Sequence, residues 1–511
     1  MLRKWLTQEI LPLLLLTALG FAVMGYHPGF EDDGVYLAAV KADLNPTLYP
    51  HHSDFFRLQM QATIFPGSMA NFVRLTRIPL AWAELLWQFA ALLLILWACR
   101  RIAAQIFPEV QAQWAAVAMV AAMFTLPVAG TALNIADQHL HPRNLATALI
   151  LIAASSILKG KRWQAIPLLV MAALLHPIMA ALGMSFCAFL ALALLEPVPF
   201  RLRATEGSVA ASVVPLGWLF VPTNSSWRLA LASRSYYSVY RWTWYEWLGA
   251  LAPLFLFWLL WRLAERQSGL AQDRVRGRAQ DQAQKRSLDR LARFALAVFA
   301  YGVFQQVVAM ALLAPDSLDR LTPLQPMRYL QLVYVFMALA AGGLLGRFLL
   351  KKIIWRWALY LLLFNGGMFL VQWELIDDGA HLELPGMATD NPWLQAFDWV
   401  RQNTPENAYF ALDPRYLAAP GEGFHGFRAL AERGQLSDAI KDTAVVTEVP
   451  SLAPLWHQQQ LALTGWKHFR LADFERLKAE FGVDWLLVSY PQTPGLDCGW
   501  HNSVVAVCTI P

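Results

Sequence analysis

A polytopic helical membrane protein carrying a C-terminal α/β domain is the architecture this sequence predicts. The first observation is composition. Of 511 residues, 57% are hydrophobic and only 15% charged, with a mean hydropathy of +0.38, whereas soluble proteins carry nearer a quarter charged residues. The second is the recurrence of apolar runs long enough to cross a bilayer. The third is a change of pattern near residue 376, after which short amphipathic helices and β-type runs replace the apolar stretches. The chain therefore divides into a membrane domain, 1–375, and a soluble-type domain, 376–511.

Taken in order, the spans fall near 9–26, 79–98, 114–133, 144–158, 163–176, 177–195, 208–222, 246–262, 294–313, 328–346 and 354–372, eleven in all. The first follows a basic start and lacks a small-x-small cleavage pattern before Tyr26, so it reads as an uncleaved span. Residues 163–195 are too long for one span and short for two, and His176-Pro177 breaks them in the middle. Two passes keep the flanking basic loops, 158–162 and 200–203, on one side. Arg3, Lys4, Arg100, Arg101, Lys159, Lys161, Arg162, Arg201, Arg203, the stretch 262–293, Arg347, Lys351, Lys352 and Arg356 then share that side. The positive-inside rule makes it cytoplasmic. The expectation is an inner (plasma) membrane protein with its N-terminus cytoplasmic and its C-terminal domain periplasmic or extracellular. The 22 Trp suit interfacial belts. The formal charge of +5 reports topology, not a nucleic-acid partner.

The segment 265–290 reads as a cytoplasmic helix or linker. In the tail, 392–402 reads as a helix, 407–412 as a strand, FERLKAEF as a helix ending at Gly482, 484–490 as a buried strand and SVVAVCTI as the last strand. This domain shows no phosphate loop and no metal-ligand spacing, and the role expected of it is covering substrate or scaffolding. Cys99 and Cys187 lie in apolar runs; Cys498 and Cys508 have the spacing of a disulfide-closed hairpin, which requires an oxidising compartment.

Polar chemistry concentrates in loops predicted to share the non-cytoplasmic face. The first outer loop, 27–78, opens with Glu31, Asp32 and Asp33 and carries His51, His52 and Asp54. Adjacent carboxylates beside a membrane repel one another unless a cation, a substrate proton or water stabilises them. A catalytic acid pair at Asp32 and Asp33 and a helix-capping turn are both open readings. The stretch 134–144 packs Asp137, His139, His141 and Arg143 together, with Arg143 at a helix start where phosphate binds well. His176 sits at a kink. Arg234 lies among aromatics and Arg328 at a span start, where lipid or sugar binding competes with simple anchoring. The substrate-binding set is thus Glu31, His51, His52, Asp54, Asp137, His139, His141, Arg143, His176, Arg234 and Arg328.

A first span followed by a long outer loop with paired acids resembles the GT-C glycosyltransferase superfamily, and HPRNLATALIL and ALLHPIMA look similar to bacterial members. The acidic motif is matched by Glu31-Asp32-Asp33, and 34–43, 51–62 and 67–77 match surface helices of the loop. The resemblance implies an inverting hexosyl or pentosyl transfer from a polyprenyl-phosphate-linked sugar to a glycan, lipid or protein acceptor at the outer face. Asp32 or Asp33 would activate the hydroxyl, and Arg143 or Arg328 would hold the carrier phosphate. No cofactor is certain from the residues, and a divalent cation, Mg or Mn, is an open reading because carboxylates and imidazoles share the loop. A second D-x-D-type motif is missing, and Asp137 is the one partner acid in sight. The competing expectations are a transporter or flippase for a lipid-linked glycan and a non-catalytic assembly protein. A transporter calls for polar residues through the spans, and Glu84, Gln88, Gln305 and Gln306 are nearly the whole supply.

Overall fold

The computed structural model describes residues 9–195, 224–274, 279–314, 316–376 and 379–511. An apolar first helix, α1 (Leu11–Met24), leads into the loop, where α2 (Asp33–Leu44), α3 (Asp54–Met60) and α4 (Phe65–Thr76) occur close to the expected surface helices. Then come α5 (Leu80–Ile106), α6 (Val110–Ala122), a two-stranded hairpin of β1 (Pro127–Val128) and β2 (Leu133–Asn134), and α7 (Pro142–Leu158). The expected span 114–133 is corrected by this hairpin. Pro127 and Gly130, at φ +63°, turn the chain back after Ala122, and residues 135–141 stay inside the fold instead of looping out.

Next are α8 (Ala165–Leu175), α9 (Pro177–Ala193), α10 (Ser225–Ala232), α11 (Trp244–Arg274), α12 (Ala279–Leu313), α13 (Leu330–Leu345) and α14 (Ile354–Leu375). The expected span 208–222 lies outside the described residues. Among the described residues, five helical stretches are long and apolar enough to cross a membrane: 80–106, 244–269, 284–313, 318–350 and 354–375. Five shorter apolar helices accompany them. The 265–290 segment extends α11 and α12 as helix on either side of 275–278. Trp82, Trp163, Trp244, Trp355 and Trp373 remain exposed on the helical surface.

The two His-Pro pairs shape this part of the fold in the same way. Proline suits the first helical position because its missing N–H needs no partner there. His141 Nδ1 accepts the N–H of Arg143 (2.9 Å), and His176 Nδ1 accepts that of Met179 (3.4 Å). Each histidine therefore caps a helix and leaves its Nε2 facing away from the cap.

The tail contains α15 (Pro392–Asn403), β3 (Tyr409–Leu412), α16 (Phe427–Ala431), β4 (Gly434–Gln435), α17 (Lys441–Glu448), α18 (Ala453–Ala462), α19 (Leu471–Phe481), β5 (Trp485–Ser489), β6 (Asp497–His501) and β7 (Val505–Thr509). The sheet order is β4-β3-β5-β7-β6, with β3 parallel to β4 and β5, and β7 antiparallel to β5 and β6. Apolar side chains pack on both sheet faces, Phe410 and Val507 on one and Tyr409 and Leu486 on the other. Cys498 and Cys508 stand in register on β6 and β7 and form a disulfide.

The tail docks on the acidic loop through backbone. Glu31 N–H donates to Phe424 O (2.9 Å), Gly426 N–H donates to Gly29 O (2.8 Å), and Phe30 and His425 form an antiparallel bridge. A Cβ on Gly426 would come within 2.6 Å of the Gly34 Cα, so the crossing requires glycine.

Candidate active site

Asp32 and Asp33 begin α2, but the helix turns their side chains to opposite surroundings. Asp32 has helical φ and ψ and makes no capping bond. Its carboxylate, 39% exposed, instead meets Lys441 Nζ at 2.9 Å and lies 3.7 Å from His141 Nε2. Burial alone would raise this carboxyl, but Lys441 and His141 outweigh it and hold Asp32 well below the usual carboxylate range. Asp33 is 2% exposed; its Oδ2 accepts the Gly29 N–H at 2.6 Å, and it shares a buried hydrogen bond with Glu84 of α5. Burial pushes its carboxyl up.

Two cavities adjoin at Glu31, Asp32 and Ala132. One, of about 340 Å³, is lined by Asp32, His141, His176, Arg234, Arg328 and Lys441, among others. The other, of about 490 Å³, is lined by Asp32, Asp137, His139, Arg143 and Phe424, among others. A wider groove of about 920 Å³ between α2 and the 383–403 region holds neither Asp32 nor any of the arginines at issue.

Arg234 and Arg328 line the first cavity, together with the carboxyl groups of Glu31, Asp32 and Glu448. Arg234 places Nη1 3.4 Å from the Tyr236 hydroxyl, while its buried Nε and Nη2 have no hydrogen-bond partner. Arg328 is oriented by Gln325 Oε1, which accepts from its Nε at 2.7 Å, and Gln325 in turn donates to the Tyr237 hydroxyl at 3.0 Å. The His176 and His141 rings lie 5.8 Å apart, tilted at 34°, and Tyr36 lies edge-on to His141 at 4.8 Å. Burial and Arg143 together push the His141 imidazole down to about 4, so it is neutral and, with Nδ1 accepting, carries its proton on Nε2 toward Asp32.

The 134–144 stretch is an internally paired unit. Arg143 grips Asp137 through Nε (3.1 Å) and Nη2 (2.5 Å), with both residues buried. Burial would raise the Asp137 carboxyl, but Arg143 and the two histidines bring it down to about 2. Gln88 donates to the Asp137 carbonyl at 2.7 Å. The span polar residues thus support the site from below: Glu84 holds Asp33, and Gln88 holds Asp137. His139 sits in the second cavity with both ring nitrogens buried and unpartnered.

Three expected residues lie elsewhere. His51 and His52 pack on the Tyr409 ring, at 4.8 and 5.8 Å, and Asp54 starts α3; none lines the two cavities. Sharing a loop with the acids placed them together in sequence, but the tail's sheet draws that end of the loop away.

The tail supplies what the sequence left out. Helix α17 enters the first cavity with Lys441 at its start and Glu448 at its end. Lys441 Nζ bonds Glu31 and Asp32 together, and those two acids keep its ammonium above the ordinary value against the opposing effect of burial. The helix is seated by Asp438, whose Oδ1 accepts from Ile440 N–H (2.7 Å) and Lys441 N–H (2.5 Å). It is seated further by a buried bidentate pair between Arg428 and Asp442 (2.7 and 2.8 Å). The tail therefore contributes side chains to the lining of the first cavity. No local signal in RGQLSDAIKDTAVVTEV singles out this lysine.

The same contacts test the divalent cation. Mg²⁺ and Mn²⁺ take several carboxylate or water oxygens. Here Glu31 and Asp32 are bridged by Lys441, Asp137 is taken by Arg143, and Asp33 is turned to Gly29 and Glu84. Among the described residues these acids do not converge as a ligand set. The residues do not fit such an ion at the acidic loop.

No protein-family model matches this chain, and no curated protein matches it. A solved structure that can be aligned with this chain is the archaeal oligosaccharyltransferase AglB from Archaeoglobus fulgidus, in complex with an inhibitory peptide and a dolichol-phosphate. It aligns at TM-score 0.46 and 11% identity, covering 95% of this chain and 70% of that one.

Proposed function

We propose that this chain is a membrane glycosyltransferase that moves a sugar from a polyprenyl-phosphate-linked donor to an acceptor hydroxyl at the outer face of the membrane. The observation that carries the reading is Asp32: an ionised carboxylate shared by two adjoining cavities, one of which has Arg234 and Arg328 on its wall. In this reading the donor's phosphate lies against the two arginines, whose charge is worth most in a site with little water. The acceptor enters from the second cavity. Its hydroxyl oxygen bonds to the anomeric carbon while the bond from that carbon to the phosphate oxygen breaks, and the phosphate leaves with the electron pair. The hydroxyl proton passes to Asp32. Because Lys441 keeps Asp32 a weak base, its first task is to orient the hydroxyl, and proton transfer comes late, as the oxygen becomes acidic on bonding. Neutral His141 faces that carboxylate with Nε2 at 3.7 Å, and its N–H dipole favours the ionised form.

The test compares lipid-linked sugars and surface glycans by mass spectrometry in a deletion strain complemented with wild type, Asp32→Asn or Asp33→Asn, at matched protein levels. The reading expects a carrier-linked sugar to accumulate, one sugar to vanish from a glycan, and Asp32→Asn to fail to restore it. Full rescue by Asp32→Asn would sink the enzymatic reading and favour transport or assembly.

A further inference from the structure

Away from Asp32, three side chains from remote parts of the sequence converge: His27 just after α1, Glu383 in the linker after α14, and His425 in the loop before α16. We propose that His27, Glu383 and His425 form a binding site for a zinc-class divalent ion, which clips the first loop, the linker and the tail domain together.

The geometry is close to what such an ion needs. His27 Nδ1 lies 3.4 Å from Glu383 Oε1, and His425 Nε2 lies 3.1 Å from Glu383 Oε2. The three ligand atoms all lie within 4.8 Å of one another. Tetrahedral zinc with bonds of about 2.0–2.1 Å sets neighbouring ligand atoms about 3.3 Å apart. Each imidazole nitrogen is already near that distance from one carboxylate oxygen, His27 from Oε1 and His425 from Oε2, and side-chain rotation would bring all three ligands onto one ion.

Burial supplies an independent argument. The side chains of His27, His425 and Glu383 are 0%, 3% and 14% exposed. Neither ring nitrogen of His27 has a hydrogen-bond partner. An imidazole buried in this way gives up its water contacts and gains no well-aligned hydrogen bond in return, which is unfavourable. A metal on Nδ1 would give one of the two nitrogens a partner. A plain His425–Glu383 ion pair leaves His27 Nδ1 with only its 3.4 Å approach to Glu383 Oε1.

The surroundings also suit a ligand set. His425 Nδ1 lies 3.1 Å from the Glu422 carbonyl, which fixes the tautomer that frees Nε2 for a metal. Backbone bonds place the ligands in advance: Glu383 N–H donates to Tyr26 O (2.9 Å), and His27 N–H donates to Gln138 O (3.0 Å). Gly25, at φ +84°, lets the chain turn there, because a Cβ would meet His381 O at 2.9 Å and His27 Nε2 at 3.0 Å. Two imidazoles with one carboxylate select zinc-class ions over Mg²⁺ or Ca²⁺. A clip across such long chain separations removes much loop entropy from the unfolded chain.

The experiment uses the full chain, untagged and in detergent. Zinc content is measured by mass spectrometry after gel filtration, Co²⁺ binding by visible absorbance, and thermal unfolding with and without EDTA. Wild type is expected to retain about one zinc per chain, to show tetrahedral cobalt bands, and to melt lower in EDTA. His27→Gln and His425→Gln are expected to bind Zn²⁺ at least about 100-fold more weakly, since even outer partners of ligands are worth 10–100-fold. Asp32→Asn is expected to keep the metal, which separates this site from the transferase reading. A wild-type chain that holds no zinc, shows no tetrahedral cobalt bands and melts identically in EDTA overturns the proposal. Equal binding by His27→Gln overturns it too. Should that variant not fold, the wild-type cobalt spectrum decides.

Discussion

Asp32 and Asp33 are neighbours in the chain and opposites in the fold. Asp32 opens into two cavities, bridged to Lys441 and faced by a neutral imidazole. Asp33 is folded against the Gly29 amide and Glu84, in a pocket where burial favours its protonated form. A single residue step at the helix start thus separates a carboxylate that can meet a substrate from one that holds the loop on the α5 helix. The contrast shows that an acid pair is not a unit of chemistry. Each carboxylate takes its charge state from what packs against it.

The largest effect is expected from breaking the open side. Asp32→Asn keeps the shape and removes the charge, and transfer should fall by roughly 10²–10⁴-fold, the usual worth of a positioned acid–base group. Radiolabelled sugar transfer in membranes measures it. Next comes Arg234→Met. Removing one preorganised donor from a developing anion typically costs on the order of 10²-fold in rate, and here the loss should appear with the lipid-linked donor at saturation.

Lys441→Met sharpens the comparison by making Asp32 more like Asp33. With the ammonium gone, the largest of the influences that hold the Asp32 carboxyl down is lost and the carboxyl rises. A wild-type reaction that needs the ionised form stays active as pH falls through the ordinary carboxylate range of about 4. In the variant the acid limb should move up in pH, with a loss of about 10-fold at neutral pH from disturbed positioning. An unmoved acid limb would remove Lys441 from the account.

Gly426→Ala tests the docking of the tail against both acids. The added methyl meets the Gly34 backbone, and overpacking of this kind costs about 1–3 kcal/mol. A lower melting temperature with reduced transfer is expected. Asp33→Asn should change least. The amide still accepts from Gly29, so transfer should stay within about 3-fold of wild type, well inside the effect of losing an acid–base group. If Asp33→Asn were the inactive variant and Asp32→Asn the active one, the roles assigned to the two acids would be reversed.

Local patterns in the sequence identified the acids, the His-Pro pairs and the helical segments around them. The helix starts at Pro142 and Pro177 are legible because a capping histidine and proline act within a few residues. The tail's α15, α19 and β5 follow from short-range periodicity in the same way. The 114–133 stretch misled because its composition is apolar while Pro127 and Gly130 reverse the chain. His51, His52 and Asp54 misled because nearness in sequence is not nearness in space.

What the sequence alone determined about this protein is therefore what local forces decide: apolar spans, caps, strand runs and the presence of charged residues in the loops. Only the tertiary structure decided which carboxylate faces a cavity, that Lys441 bridges Glu31 and Asp32, and that His27 meets Glu383 and His425. These pairings join segments hundreds of residues apart. They form because the tail's backbone and glycines fit the acidic loop, and no short-range pattern in either segment records that fit.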